Sequence, residues 1–400
     1  MNKVVAIIPW GDVIEDFLDP IGLTVHQLAQ DMSGGWLFGY VEALQQAGWS
    51  PLVLAPSSTV RQVERLTHAA TGAPIWLVPG YSSQGTASPS RQAIRQWRAT
   101  PLRAFRQVLR QERCHALLVQ DYERPQFDAL VALGRSLRVP VFATFQGGDR
   151  TLSRVERLIR ARSIAEAAGL IIAASAERER VAAAYRRARV ANIPNPIDVQ
   201  EWRPFPPAEA RAALGLANDT FVAVTHGRID IHRKGLDLLL AAWTGPGELV
   251  LIGSGQDREQ LATMVEGRTG VRWIDTYTND REFIRRWLSA SDVYVSASRI
   301  EGMPVAPLEA MACGLPVIGS TAQGLADMLA SEGPAVGLLF PSENVAMLAA
   351  AIGRLRDDPA LRRTLGHHGR ELVEQRFSIE SVANALDALL HAALDRRLAS

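Results

Sequence analysis

Short apolar runs alternate with longer helical patterns along the whole chain, and the alternation occurs twice. In the first half the runs are Val4–Ile8, Leu52–Ala55, Ile75–Val78, Ala116–Gln120, Val141–Phe145 and Leu170–Ala174. In the second half they are Phe221–Thr225, Glu248–Ile252, Val271–Ile274, Asp292–Ser296, Pro316–Gly319 and Gly337–Phe340. Between the early runs, 3.6-residue periodicity predicts helices over Trp36–Ala47, Val60–Ala70, Pro125–Leu137 and Ala176–Arg187. Strands that alternate with helices pair in parallel, because each crossover lays a helix over a sheet face. The prediction is an α/β chain of two doubly wound, Rossmann-like domains facing across a cleft. Four hundred residues exceed what one ordinary core holds, which agrees with two domains.

The break is written in proline. Residues 194–207 hold five prolines, which regular elements do not tolerate. The expected division is 1–198, 199–378 and a final amphipathic helix, 379–400. That helix carries Val382, Leu386, Leu389, Leu390 and Leu394 along one face.

Charge narrows the partners. Residues 1–200 hold 23 basic and 17 acidic side chains, +6, and the remainder 20 and 25, −5. So mild a balance argues against nucleic acid as the main partner. Arg91, Arg95, Arg98, Arg103, Arg106, Arg110 and Arg113 are interleaved with Ile94, Trp97, Leu102, Phe105 and Leu109. Such a basic amphipathic stretch reads either as a solvated arginine face or as peripheral contact with an anionic membrane. Two cysteines, Cys114 and Cys313, build neither a disulfide framework nor a zinc site. No run of about eighteen apolar residues is present, and the opening run is short for a signal peptide. A cytoplasmic setting, with the inner membrane face as its margin, is the expectation.

The most informative segment is 299–319. After the strand ending at Ser296 come a loop with Glu301, a helix with Glu309, then Gly314 and Leu315-Pro316, which stop the helix. Backbone N–H groups near Met303, Pro304, Val305 and Ala306, proline apart, would face the crevice at the carboxyl end of a parallel sheet, a phosphate-binding geometry. Carboxylates beside a phosphate site make sense as partners of hydroxyl groups. Each accepts two hydrogen bonds from a vicinal diol, Glu301 from a transferred sugar and Glu309 from a ribose. A sugar nucleotide, a diphosphate flanked by two polyols, needs both kinds of group.

Arg228 and Lys234 follow the strand Phe221–Thr225 and would hold a diphosphate. Only Lys3 and Lys234 are lysines among 43 basic residues. A lysine at 234 points to a compact charge where a guanidinium does not fit. Gly253-Ser254-Gly255 follows another strand and would let backbone approach a phosphate. Arg258 stands where a dinucleotide fingerprint has its third glycine, which argues against a nicotinamide dehydrogenase. In the first half, Ser33-Gly34-Gly35 opens a helix, with Ser33 as a cap. Gln146-Gly147-Gly148-Asp149 follows the strand Val141–Phe145 and reads either as a plain turn or as presenting Gln146 and Asp149 as acceptor-side groups. No His/Cys metal cluster and no Asp-x-Asp at a strand end is read, so no metal and no cofactor is expected.

These residues together resemble the retaining GT-B glycosyltransferases of family 4. The resemblance covers nearly the whole chain and is strongest over 221–341. It matches Arg228 and Lys234 to the family's diphosphate pair, Glu301 and Glu309 to its paired glutamates, Gly34-Gly35 to its first-domain glycine turn, and Asn192–Asp198 to its segment leading into the second domain. It further implies that Tyr277 meets the nucleotide base through backbone, and that the last helix returns to the first domain. One departure stands out: many members carry histidine where this chain has Gln146. A glutamine takes no proton, so it serves as a hydrogen-bond partner only. The activity implied is metal-independent, retaining transfer of a hexose-type sugar from a nucleoside diphosphate to a glycan, lipid or small-molecule acceptor. The alternatives are a non-catalytic sugar-nucleotide-binding protein, or a relative such as a glycan phosphorylase or sugar-nucleotide epimerase.

Overall fold

The structure, a computed structural model, describes residues 3–32, 34–83, 89–148, 152–276, 278–330 and 333–398, with no side chains for 89, 397 and 398. The chain divides into two compact units, one of Met1–Pro196 with Ile379–Ser400 and one of Ile197–Ser378.

The first unit is built on strands β1 (Val4–Ile8), β2 (Ser50–Ser57), β3 (Glu64–Thr67), β4 (Pro74–Pro79), β5 (Ala116–Gln120), β6 (Val141–Thr144), β7 (Gly169–Ile171) and β8 (Val190–Ala191). They form one sheet in the order β3-β4-β2-β1-β5-β6-β7-β8, parallel except for β3 against β4. Its central strands β1, β2, β5 and β6 are buried and mostly apolar because both faces are covered. Val5 and Ile7 of β1 enter one core with Phe38, Leu44, Leu386 and Leu390. Ala6 and Ile8 enter the other with Phe105, Phe127 and Leu130.

The helix Ile379–Leu398 belongs to this unit and packs on the helix Gly35–Gln46. Val382, Leu386 and Leu390 are buried there, each contributing about 2 kcal/mol by leaving water. Trp49 Nε1 donates to Asp387 Oδ1 at 2.8 Å and fixes the helix's rotation.

The segment 60–70 corrects the sequence reading. It holds the edge strand β3, not a helix. Val60, Val63 and Leu66 recur every third residue, which suits a helix. Gly72, at φ +68°, instead turns the chain back, and Leu66 pairs with Ile75 of β4.

The second unit carries β9 (Val222–His226), β10 (Glu248–Ile252), β11 (Val271–Ile274), β12 (Val293–Ser296), β13 (Val317–Ser320) and β14 (Gly337–Phe340). All pair in parallel in the order β11-β10-β9-β12-β13-β14. This is the doubly wound order whose direction reverses between the first and fourth strands. Ala223, Leu249, Leu251, Val293, Val295 and Ile318 fill one face with helix residues such as Leu239 and Ile352. Cys114 and Cys313 are buried free thiols, and burial pushes the Cys114 thiol up to about 12. Among the described residues no helix is long and apolar enough to cross a membrane.

Candidate functional site

The reversal between β9 and β12 opens a crevice beyond the carboxyl ends of these strands, where ligands of such sheets bind. Two loops leave from there. The β9 loop runs through Gly227 and Arg228 into a single helical turn, Ile231–Lys234. Asp230 caps this turn, its Oδ1 accepting from Arg233 N at 2.9 Å, and Asp257 Oδ2 accepts from Ile231 N at 2.8 Å. The β12 loop runs from Ala297 to Pro304 and enters the helix Val305–Ala312.

Glycines let these loops meet. Gly235 ends the short turn at φ +62°, and a Cβ there would lie 2.0 Å from the Ala297 carbonyl oxygen. A Cβ on Gly253 would lie 1.8 Å from Gly227 O, and one on Gly255 2.2 Å from Ile229 O. The Gly253-Ser254-Gly255 turn therefore packs on the β9 loop, where Ile229 N donates to Ser254 O at 3.0 Å. The sequence reading assigned that turn to phosphate; its glycines are required by neighbouring backbone.

Arg299 locks the arrangement. Its Nη1 and Nη2 each stand 2.8 Å from an oxygen of Asp237, Nη1 also donates to His232 O at 2.8 Å, and Nε pairs with Glu343. Its main-chain N–H donates to Arg233 O at 2.9 Å. The Arg299 guanidinium holds the Asp237 carboxyl below the usual carboxylate range, and the two carboxylates hold the guanidinium above its own. Such bidentate pairs give orientation as well as energy.

Within this frame Lys234 Nζ lies 2.6 Å from Glu301 Oε1, and Ser298 Oγ donates to the same oxygen at 2.8 Å. Glu301 is nearly buried, while Lys234 keeps about a third of its side chain exposed, 31%. Arg228 is half-buried and engages no partner among the described residues. Met303 is buried, and Pro304 precedes the helix with no side-chain cap on its first turn. The amides of Val305 and Ala306 thus start a helix whose positive end no side chain among the described residues caps; Pro307 has no N–H to offer.

Glu309 of that helix meets a residue that sequence reasoning missed. His226, the last residue of β9, places Nε2 2.7 Å from Glu309 Oε2. Its Nδ1 is buried with no partner among the described residues, so the geometry assigns the proton to Nε2, donating to the carboxylate. Tyr294 of β12 packs edge-on against the imidazole and exchanges hydrogen bonds with the His226 main chain. Burial, more than the two nearby glutamates, raises the Tyr294 hydroxyl above its ordinary range. The one signal in sequence was position: His226 directly precedes Gly227-Arg228.

In the first unit Gly34 and Gly35 adopt φ +60° and +61° at the start of the helix Gly35–Gln46. Gln146 donates from Nε2 to Thr144 Oγ1 at 2.8 Å. Ser33, Asp149 and Tyr277 lie outside the described residues. The structure adds groups at the ends of β1 and β5. Arg124 pairs with Asp12 at 3.1 Å and lies over the Trp10 ring, 4.8 Å from its centroid. Tyr122 bonds Glu177, which pairs with Arg180. Glu123 stands beside Gly148, where a Cβ would collide with its Oε2. Burial, then the Asp121 and Glu177 charges, push the Glu123 carboxyl up to about 8. For Trp10, Asp12 and Tyr122–Arg124 the sequence signal is that they closely follow strands; Glu177 and Arg180 lie in the helix Ser175–Ala184.

A fold of two doubly wound units, one with cations and carboxylates gathered at its switch point, defines the GT-B class. The family model described as Glycosyltransferase Family 4 matches residues 36–201, and the one described as Glycosyl transferases group 1 matches 220–358. Each half of the chain thus matches a glycosyltransferase family model. It is 38% identical over 188 residues to the lipopolysaccharide core biosynthesis glycosyltransferase LpsD of Rhizobium meliloti, covering 46% of this chain and 52% of that protein. The chain spans about half the length of the curated relatives it matches first. Among solved structures, a sucrose-phosphate synthase from Thermosynechococcus elongatus superposes with TM-score 0.77 at 23% identity, covering 99% of this chain and 100% of that one. Anabaena HepE in complex with UDP superposes with TM-score 0.72 at 16% identity, covering 98% and 100%. At these identities the structural likeness speaks for the fold.

Proposed function

We propose that this protein is a retaining, metal-independent glycosyltransferase that moves a hexose-type sugar from a nucleoside-diphosphate sugar to a glycan, lipid or small-molecule acceptor. The observation that carries the reading is Arg228, half-buried and without a partner among the described residues, on the loop that also delivers Lys234 to Glu301 of the β12 loop. In this reading Arg228, Lys234 and the amides of Val305 and Ala306 hold the diphosphate and offset the charge that builds as it departs. Glu301 orients the sugar and Glu309 the ribose. The bond from the anomeric carbon to the phosphate oxygen breaks, and the acceptor oxygen bonds on the same face. The acceptor proton passes to a donor phosphate oxygen, so Gln146 needs only to hydrogen-bond. That a neighbour in fold, HepE, is in complex with UDP supports a nucleotide as part of the ligand.

The acceptor falls to the first unit, at Gln146 and the adjoining ends of β1 and β5. Peripheral contact with an anionic membrane through Arg91–Arg113 belongs to the same reading, with one correction. Phe105 and Leu109 are buried and Trp97 bonds Asp128, so that stretch offers lipid mainly its seven exposed arginines.

The test is a thermal-shift panel of nucleoside diphosphates and their sugars, since a bound donor raises the melting temperature. Product analysis with and without acceptor follows. Transfer only with acceptor supports the reading. Sugar epimerisation without acceptor, phosphate-dependent cleavage, or binding without turnover overturns it.

A further inference from the structure

We propose that the helices Pro89–Ala99 and Arg154–Glu166 of the first unit form a docking surface for an anionic phospholipid bilayer. The two helices pack on each other and on the helix Pro125–Leu137. Asp128 of that third helix pins both. It accepts from Trp97 Nε1 at 3.4 Å and pairs bidentately with the buried Arg160, Nε at 2.9 Å and Nη2 at 3.0 Å. With those faces committed inward, the outward faces are set.

They are apolar where they should be polar. Six large hydrophobic side chains are exposed among the described residues, and four are on these two helices: Leu158 at 77%, Val155 at 58%, Ile94 at 45% and Ile159 at 36%. Positions 155, 158 and 159 share one helical stripe, i, i+3 and i+4. Around them the charge is of one sign. Arg91, Arg95 and Arg98 on the first helix and Arg154 and Arg157 on the second are exposed and have no ion-pair partner among the described residues. On the second helix Glu156 turns inward, and Glu166 is already shared between Arg135 and Arg162.

The combination selects the occupant. A soluble polyanion would satisfy the arginines and leave Leu158 and Val155 in water. A second copy of the chain would bring like charges together, at a cost. An anionic bilayer takes both, burying the apolar stripe among acyl chains while headgroups meet the guanidinium groups. This deepens the membrane contact proposed above and adds Val155, Leu158 and Ile159 to Ile94, the exposed large aliphatic side chain of the Arg91–Arg113 stretch among the described residues.

The experiment is flotation of the whole protein with vesicles of phosphatidylcholine alone or mixed with phosphatidylglycerol, without donor or acceptor. Its failure thus leaves the transferase reading standing. The wild type is expected on the anionic vesicles and at least tenfold less on the neutral ones. Val155→Ser with Leu158→Ser should weaken partitioning tenfold or more at any salt concentration. Arg91→Ser with Arg95→Ser should weaken it by about fivefold per arginine at low salt, with little effect at 0.5 M salt, following roughly 1 kcal/mol per basic residue at an anionic surface. Thermal melting at the wild-type temperature separates loss of docking from loss of fold. Equal partitioning of wild type and both variants overturns the proposal. So does a lipid-free dimer of the wild type that Leu158→Ser dissociates, which would make the stripe a protein interface.

Discussion

The ammonium of Lys234 lies 2.6 Å from Oε1 of Glu301, across two loops separated by 67 residues in sequence. Each residue belongs to a different strand of the switch point, and Gly235 and Arg299 hold those loops in register. The pair neutralises two charges that would be costly to leave half-desolvated and apart. In the proposed reading it also sets them ready for a ligand with an anion at one end and hydroxyls at the other.

Lys234→Ala is therefore expected to lower turnover by roughly a hundredfold or more, the usual loss for one preorganised charge at a departing anion. Lys234→Arg should recover little of it, because the guanidinium is wider and binds in a plane. Initial rates with the donor giving the largest thermal shift measure both. Wild-type turnover in Lys234→Ala would remove the residue from the mechanism.

The bond from His226 to Glu309 makes a second prediction. If the histidine aims the carboxylate at the ribose, His226→Phe keeps a ring against Tyr294 and removes the donor. The KM for donor should rise about tenfold, in line with the roughly 1.5–3 kcal/mol of a hydrogen bond to a charged group, while kcat changes little. The preference for a ribonucleotide over its deoxy analogue should fall in parallel. Adding Glu309→Gln should cost less than the sum of the two single effects. An additive double variant, or unchanged deoxy discrimination, rules out the coupling.

The raised Glu123 carboxyl predicts a pH dependence of stability. Its ordinary value is 4.5, and in the folded chain it stands at about 8. Between those values the folded state binds more protons than the unfolded state at this site. Its contribution therefore makes stability fall as pH rises through that window. Glu123→Gln removes the titration. Relative to wild type, its melting temperature should be higher at pH 8.5 than the same comparison gives at pH 5. A difference independent of pH would mean that Glu123 is ionised at neutrality.

Much of this was legible from the amino-acid order, for identifiable reasons. Parallel strands buried on both faces read as mostly apolar runs, so β1, β9, β10, β12 and β13 stand out. An edge strand such as β3, with only Leu66 partly inward, carries too short a pattern to separate from a helical turn. Arg228 and Lys234 were visible because they lie within one loop, and Glu301 and Glu309 because their flanking glycines and prolines bracket a helix. His226–Glu309 and the Lys234–Glu301 contact are tertiary: residues 83 and 67 positions apart meet only once the sheet order is set. Gly253 and Gly255 show the converse. Their type and place were right for a tight approach, but what approaches is Gly227 and Ile229 backbone.

The switch-point glycines yield the last prediction, through a matched pair. Gly215 and Gly235 both end helices in the left-handed region, at φ +68° and +62°. Around Gly215 an added Cβ meets nothing within 4 Å, whereas at Gly235 it would sit 2.0 Å from the Ala297 carbonyl oxygen. Gly215→Ala therefore carries the left-handed strain alone, about 1 kcal/mol. Gly235→Ala carries that strain and must also push the β12 loop away, loosening the frame that presents Glu301 to Lys234. Its loss of stability in denaturant titrations should exceed that of Gly215→Ala by at least about 1–2 kcal/mol. Its turnover should fall as well, while Gly215→Ala stays active. Equal destabilisation by the two variants would show that the β12 loop yields freely, and the Lys234–Glu301 geometry would then not depend on the close approach at Gly235.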